Sequence, residues 1–408
     1  MVKRKLTAGA TALVIAAAVA ACGSSSSSTS SGGSSASSGG SSSSSKGAIN
    51  VLDITATSGA TAIFGQQETL GMQAAAAYYN AHGGILGRKV NIVVKNDNSD
   101  PTTATQIATH ELASNASKYA MVWVGEEGTV SAALIPIVKR YNLFATAVND
   151  GNSACLKANA CPTLYTQAGP IAAGEVTDTA ALKQAGYTNV GVIAEQGTYD
   201  QSELQYMLPD LKAAGIKYTE VTFPPTAVSL TPEMSQLKSA GVQAVFAMTL
   251  GPAGGYVLSG RAALGWNVPV YFDVAGSTVD VASLVPKADT SNVKETLQYC
   301  EDVKHNIPAF SELMQYAPSK LAGNIACPIA GDGWGGVVLL ADAAKAAGSV
   351  DANSLIKAAA GLKITSNEVS NPQKCWTATN HEDTCQGPSY YEVVPLGSLK
   401  GTRVYPLS

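Results

Sequence analysis

The chain has 408 residues, with 26 lysines and arginines against 30 aspartates and glutamates. The roughly 360 residues that follow Lys46 exceed what one hydrophobic core usually accommodates, so two domains are expected. Removing the first 21 residues takes away three basic side chains and no acidic one, leaving a net charge of −7, which argues against nucleic acid as a partner.

Lys3, Arg4 and Lys5 precede an apolar run from Leu6 to Ala21, the layout of a secretory signal over residues 1–21. Sixteen mostly small residues fall short of the roughly 20 needed to span a bilayer, and no later stretch is long and apolar enough. Val19-Ala20-Ala21-Cys22 resembles a bacterial lipobox, in which the cysteine takes a diacylglycerol on its thiol and becomes the new N-terminus. A plain signal peptide with an incidental cysteine is the alternative, but it leaves the next segment without a purpose. That segment, Ser24 to Ser45, is almost entirely serine and glycine, has nothing to bury, and reads as a flexible tether with a span of roughly 25 Å and a reach of about 75 Å.

From Ile49 the chain alternates short apolar runs with helical patterns. INVLDIT is a strand, Gln66 to His82 a helix stopped by Gly83-Gly84, and KVNIVVKND a strand. Asp100-Pro101 supplies an N-cap acceptor and a proline at the first helical position. YAMVWVG is a strand, Thr129 to Tyr141 a helix, and LFATAV a strand. The rhythm then recurs: NVGVIAE, a helix over Gln201–Ala214, IKYTEVTF, a helix from Thr231 to Gly241, VQAVFAM, a helix over Ala253–Leu264, and PVYFDV. Such alternation predicts an α/β chain with two doubly wound parallel-sheet lobes. Beyond Asp332 the pattern is helical again, and the tail from Cys375 reads as a disulfide-clipped hairpin, SYYEVVPLG.

Apart from Cys22, six cysteines remain, an even number suited to an oxidising exterior: Cys155, Cys161, Cys300, Cys327, Cys375 and Cys385. Six cysteines allow 15 pairings. Proximity favours Cys155 with Cys161 and Cys375 with Cys385, leaving Cys300 for Cys327. A zinc site fits poorly, because no C-x-x-C spacing occurs and the chain has four histidines.

Motifs for catalysis are missing: no G-x-S-x-G elbow, no phosphate loop with G-K-[ST], no H-E-x-x-H helix. GDGWGG at Gly331–Gly336 has the glycine density of a nucleotide loop but no clear strand before it, and reads as a flexible helix entry. His110-Glu111 and His381-Glu382-Asp383 are acid–imidazole pairs of the kind found by chance on solvated surfaces. No cofactor or metal is expected. Binding comes forward instead, since open parallel sheets hold ligands outside the carboxyl ends of their strands, beside free helix N–H groups. The junctions to watch are TSGATAIFG, GEEGTVS, AVNDG, AEQGTYDQ, MTLGPAGG and FDVAGS.

Those junctions, in this order, resemble the Leu/Ile/Val-type (branched-chain amino acid family) substrate-binding lipoproteins of ABC transporters, with the type I periplasmic-binding-protein fold. The most specific stretch is SGATAIFGQQETLGMQAAAAYYNAHGGILGRKVNIVVKNDNSDP, similar to the family's opening, and the likeness extends in pattern from Ile49 to about Gly361. The resemblance implies a three-strand hinge between an N-terminal lobe at 46–167 plus 298–372 and a C-terminal lobe at 168–297 plus 373–408, after a lipidated 22–45 tether. It implies an aromatic over the ligand at Phe64, carboxylate binding by Gly128 and Thr129, backbone contacts at Val148 and Asn149, and a closing tyrosine at Tyr199. Each has a plainer reading: Phe64 as packing, Thr129 as an N-cap, Tyr199 as a surface residue at a helix start.

One position departs from the pattern. Where amino-acid-binding members hold the ligand's ammonium with an acidic residue, this chain has Ala275; Asp273, Glu126 or Glu127 are the candidate substitutes. A zwitterion without such a partner would bury an unpaired cation at a cost of several kcal/mol. Amino acid, amide and small aromatic or aliphatic carboxylate therefore all fit. The expected protein is a non-enzymatic, monomeric receptor in the cell envelope. It is lipid-anchored to the outer face of the cytoplasmic membrane or periplasmic, and delivers its ligand to ABC transporter permease subunits. A sensory receptor of the same fold is an alternative, though it would normally continue into a transmembrane helix beyond Ser408; a secreted α/β hydrolase is another, without a nucleophile–base pair to name.

Overall fold

A computed structural model describes residues 47–125, 128–148, 161–277, 281–301, 305–318, 325–396 and 404–405. Cys22, Glu126, Glu127, Asn149 and Cys155 lie outside these residues.

The first sheet is built from β1 (Ile49–Thr55), β2 (Val90–Asn96), β3 (Tyr119–Trp123), β4 (Ala145–Ala147) and β5 (Leu164–Thr166), all parallel in the order β2-β1-β3-β4-β5. β1 buries every residue but Asn50, as a central strand covered on both faces must. Between the strands run α1 (Ala62–Ala81), α2 (Pro101–Asn115) and α3 (Gly128–Arg140). Asp100 caps α2 as expected, accepting from the Thr103 N–H at 2.6 Å.

After β5 the chain enters α4 (Ile171–Gln184) and a second sheet: β6 (Asn189–Glu195), β7 (Lys217–Phe223), β8 (Ala244–Met248), β9 (Val270–Phe272) and β10 (Val293–Gln298). Its connections are α5 (Thr198–Ala213), α6 (Thr231–Ser239), α7 (Ala253–Ala263) and the one-turn α8 (Val274–Ser277). The order β7-β6-β8-β9-β10 repeats that of the first sheet. In both, the strand order reverses beside the first strand, which creates a switch point open at the carboxyl ends.

The chain then returns to the first core with α9 (Pro308–Tyr316), α10 (Cys327–Ala347) and α11 (Ala352–Ala359), where α1 and α10 cross closely. GDGWGG lies in the interior of α10 and is buried, which corrects the expectation of a flexible helix entry. Its glycines let backbones meet. A Cβ on Gly333 would sit 2.1 Å from the Glu68 carbonyl oxygen, and one on Gly71 of α1 would sit 1.8 Å from that of Ala330. Gly71→Ala should therefore cost about 1–3 kcal/mol by forcing the helices apart. Gly387→Ala, with nothing within 4 Å of the added carbon, should change stability by less than about 0.5 kcal/mol. Urea unfolding of both variants checks the contrast.

The tail also differs from expectation. Tyr391–Pro395 does not fold back locally; it joins β10 antiparallel at the edge of the second sheet. Cys300–Cys327 and Cys375–Cys385 are bonded, and Cys161 is disulfide-bonded too. His381 is not on a solvated surface: it is buried and stacks on Tyr165 with ring centroids 4.0 Å apart, and burial lowers its pKa. Among the described residues no helix is long and apolar enough to cross a membrane, and no His/Cys/Asp/Glu group has the placement of a metal site.

Candidate functional site

A cavity of about 340 Å³ opens where the carboxyl ends of the two sheets face each other. From the first sheet it takes Ala60 and Thr61 after β1, Ser99 and Pro101 after β2, and Gly128 and Thr129 after β3. The second sheet contributes Glu195 at the end of β6, Gln196, Gly197 and Tyr199 just after it, and apolar surface from Phe223, Leu250 and Tyr256. Both switch points thus feed one space.

The first wall is held by turn chemistry. Asn96 at the end of β2 accepts from the N–H groups of Thr57 and Ser58 at 2.9 and 3.2 Å, and Ser99 accepts from that of Thr61 at 3.1 Å. Gly59 takes φ +102° beneath the Asn98 carbonyl, where a side chain would collide. Ser131 donates to the Val124 and Gly125 carbonyls, tying the loop after β3 to α3. Gly128 and Thr129 occupy the first turn of α3, where N–H groups have no helical partner. Thr129 is exposed to the cavity, and Gly128 is buried beside it.

A second, inner cavity of about 40 Å³ lies toward the crossover segments, lined by Val148, Ala168, Glu175, Glu203, Ala275 and Asp332 among others. Tyr199, half-buried at the start of α5, lines both spaces. It is hydrogen-bonded to Glu203, which is bonded in turn to Asp273. Asp273 is fully buried and accepts from the N–H groups of Ala275 and Gly276 at 3.2 and 2.9 Å, capping α8; burial pushes its pKa up to about 7. It lines neither cavity.

Gly128, Thr129 and Tyr199 therefore share the larger cavity, and Val148 stands on the inner one. Phe64 is elsewhere: it is buried against Ile329 and Leu250, beside a narrow pocket of about 10 Å³ over the first sheet. Residue-by-residue reading missed Glu195, Glu175 and Glu203. Glu195 ends β6 on the cavity wall, and burial pushes its carboxyl up to about 7. Glu203 lies four residues after Tyr199 on α5, and Glu175 lies three before Asp178 on α4, spacings that put each pair on one helix face. No lysine, arginine or histidine is among the residues lining either cavity.

A family model described as periplasmic binding protein matches residues 48–386. No curated protein matches the sequence. Among solved structures, a type 1 periplasmic binding protein of Bordetella pertussis Tohama I is similar at 19% identity, with a TM-score of 0.74, covering 88% of this chain and 100% of its own. A solute-binding protein of an ABC transporter from R. palustris, in complex with 4-hydroxybenzoate, is similar at 18% identity and a TM-score of 0.71, covering 87% and 94%. A leucine-binding protein of Thermotoga maritima follows at 16% and 0.67, covering 79% and 90%.

Proposed function

We propose, from the premise that this chain belongs to the periplasmic binding protein family, that it is an extracytoplasmic receptor that captures a small amphipathic solute and delivers it to an ABC importer. The carrying observation is the cavity of about 340 Å³ shared by the carboxyl ends of two sheets of the same strand order. That volume is in the range of small-molecule sites, with mostly apolar walls and a few polar groups to orient the ligand. Thr129 and the first turn of α3 offer donors from one side, and Tyr199 reaches in from the other. In this reading residues 46–167 with 298–372, and 168–297 with 373–408, close on the ligand as two lobes, with no covalent step. Cys22 carries the lipid and residues 22–45 the tether. The solved relatives support a ligand of this size: one is in complex with 4-hydroxybenzoate and another is named a leucine-binding protein.

The test is a thermal-shift screen of the full-length protein in detergent against amino acids, amides, carboxylates and amines. A ligand at a hundred times its Kd adds about 2.7 kcal/mol to the native state. Thr129→Val and Tyr199→Ala should each weaken the responding ligand about tenfold, the value of one lost hydrogen bond. A screen without a hit, or a hit untouched by both variants, removes the reading.

A further inference from the structure

The inner cavity carries three carboxyl side chains on its wall, Glu175, Glu203 and Asp332, and what surrounds it defines a complementary ligand. Glu175 and Glu203 line it, each 2% exposed, and each has a buried Oε2 atom without a hydrogen-bond partner. Asp200 and Asp178 lie buried behind them with further unpartnered oxygens. Asp332, on the same wall, already faces the Lys374 ammonium at 3.0 Å. Buried carboxyls ordinarily have cations or donors; here the lining residues provide no cation for Glu175 or Glu203.

We propose that the inner cavity seats a protonated amine of the ligand, held by Glu203 and Glu175, and that the preferred solute is a net cation whose apolar body fills the larger cavity. This rests on the capture reading above. Three features support it. Tyr199 lines both spaces, so the larger cavity and the inner one meet at this one side chain. The inner volume of about 40 Å³ suits a group the size of an ammonium with a water, since one water occupies about 10–15 Å³ by this measure. Glu195, on the wall of the larger cavity, adds a further carboxyl where a ligand carboxylate would be repelled. Burial and repulsion from neighbouring carboxyls raise the pKa values of Glu175 and Glu203 well above the ordinary range, and a cation seated between them relieves that repulsion.

The experiment compares isosteres that differ in charge: 3-methylbutylamine against leucine and 3-methylbutanoate, and benzylamine against benzoate. Titration calorimetry is run on the full-length protein near neutral pH, with Thr129→Val in parallel. The amines are expected to bind more tightly than their partners, and Glu203→Gln and Glu175→Gln are each expected to weaken them about thirtyfold, the loss from truncating one side of a buried charge pair. Benzoate, 3-methylbutanoate or leucine binding as tightly as the amines, weakened by Thr129→Val and indifferent to both glutamine variants, would overturn this inference and leave the capture reading standing. Amine binding unaffected by either glutamine variant would also overturn it. Binding by none of the five would overturn this inference, while the capture reading is decided by the broader thermal-shift screen.

Discussion

Lys374→Met is expected to lower the unfolding free energy by about 3–5 kcal/mol at neutral pH and above, the cost of removing one partner from a buried ion pair. Lys374 is fully buried, and its Nζ lies 3.0 Å from Asp332, 3.5 Å from Glu368 and 3.3 Å from the Gln167 side-chain oxygen. Gln167 in turn donates to Thr146 on β4 at 2.8 Å. One ammonium thus ties α10, the segment through Glu368 and the end of the first sheet together. Burial alone would lower its pKa; Asp332, Glu368 and Asp383 outweigh that and hold it above its ordinary value. Even with the lysine present, burial pushes Glu368 up to about 7 and Asp383 up to about 6.

The sign of the pH dependence follows from those carboxyls. Their folded pKa values exceed unfolded values near 4, so their favourable contribution is complete below about pH 4 and is lost as pH rises through about 6–7. Removing the ammonium raises them further. The deficit of Lys374→Met should therefore be largest at pH 8 and should shrink toward pH 5, where the orphaned acids take up protons. Urea unfolding at the two pH values checks this; equal deficits would show that packing, not charge, carries the role of Lys374.

Replacing Cys300 and Cys327 together by serine should cost about 3.5 kcal/mol if the bridge acts by restricting the unfolded chain over its 27-residue separation. The bond ties the segment after β10 to the first residue of α10, and both sulfurs are buried in the first core. Cys375–Cys385, with a separation of 10, should be worth about 3 kcal/mol by the same reasoning. Denaturant midpoints of the two double variants, at constant m-value, measure both; a loss below about 1 kcal/mol for the first would contradict the chain-entropy account.

Much of the architecture was legible because local periodicity and punctuation agree with it. NVGVIAE is β6 from end to end, and Asp100-Pro101 opens α2 as its residue types require. The edge strand Tyr391–Pro395 was not legible as such, since nothing local says that its partner is β10, about 100 residues earlier in the sequence. Nor were the α10 glycines: their density suits a loop until α1 presses against them. The junctions themselves were legible because carboxyl-end turns in open sheets face one crevice, but Gly128, Thr129 and Tyr199 were singled out within them only by the family resemblance; all three line the larger cavity. Glu175 and Glu203 escaped for a physical reason. Acids spaced three or four apart look the same on a solvated helix as on one turned inward, and here α4 docks on α5 and buries that face.

Both cores close late in the order of synthesis. α1 begins at Ala62, yet the helix that covers it does not start until Cys327, and the second sheet gains its final edge only at Tyr391–Pro395. A nascent chain halted near residue 300 therefore holds the five strands of the first sheet while α1 still presents an uncovered apolar flank. The first half cannot finish until the five parallel strands of the second have been made, and the second gains its edge strand only after that. Unlike chains whose N-terminal domain is complete while the rest is being translated, this one supplies the last pieces of both cores only after residue 300.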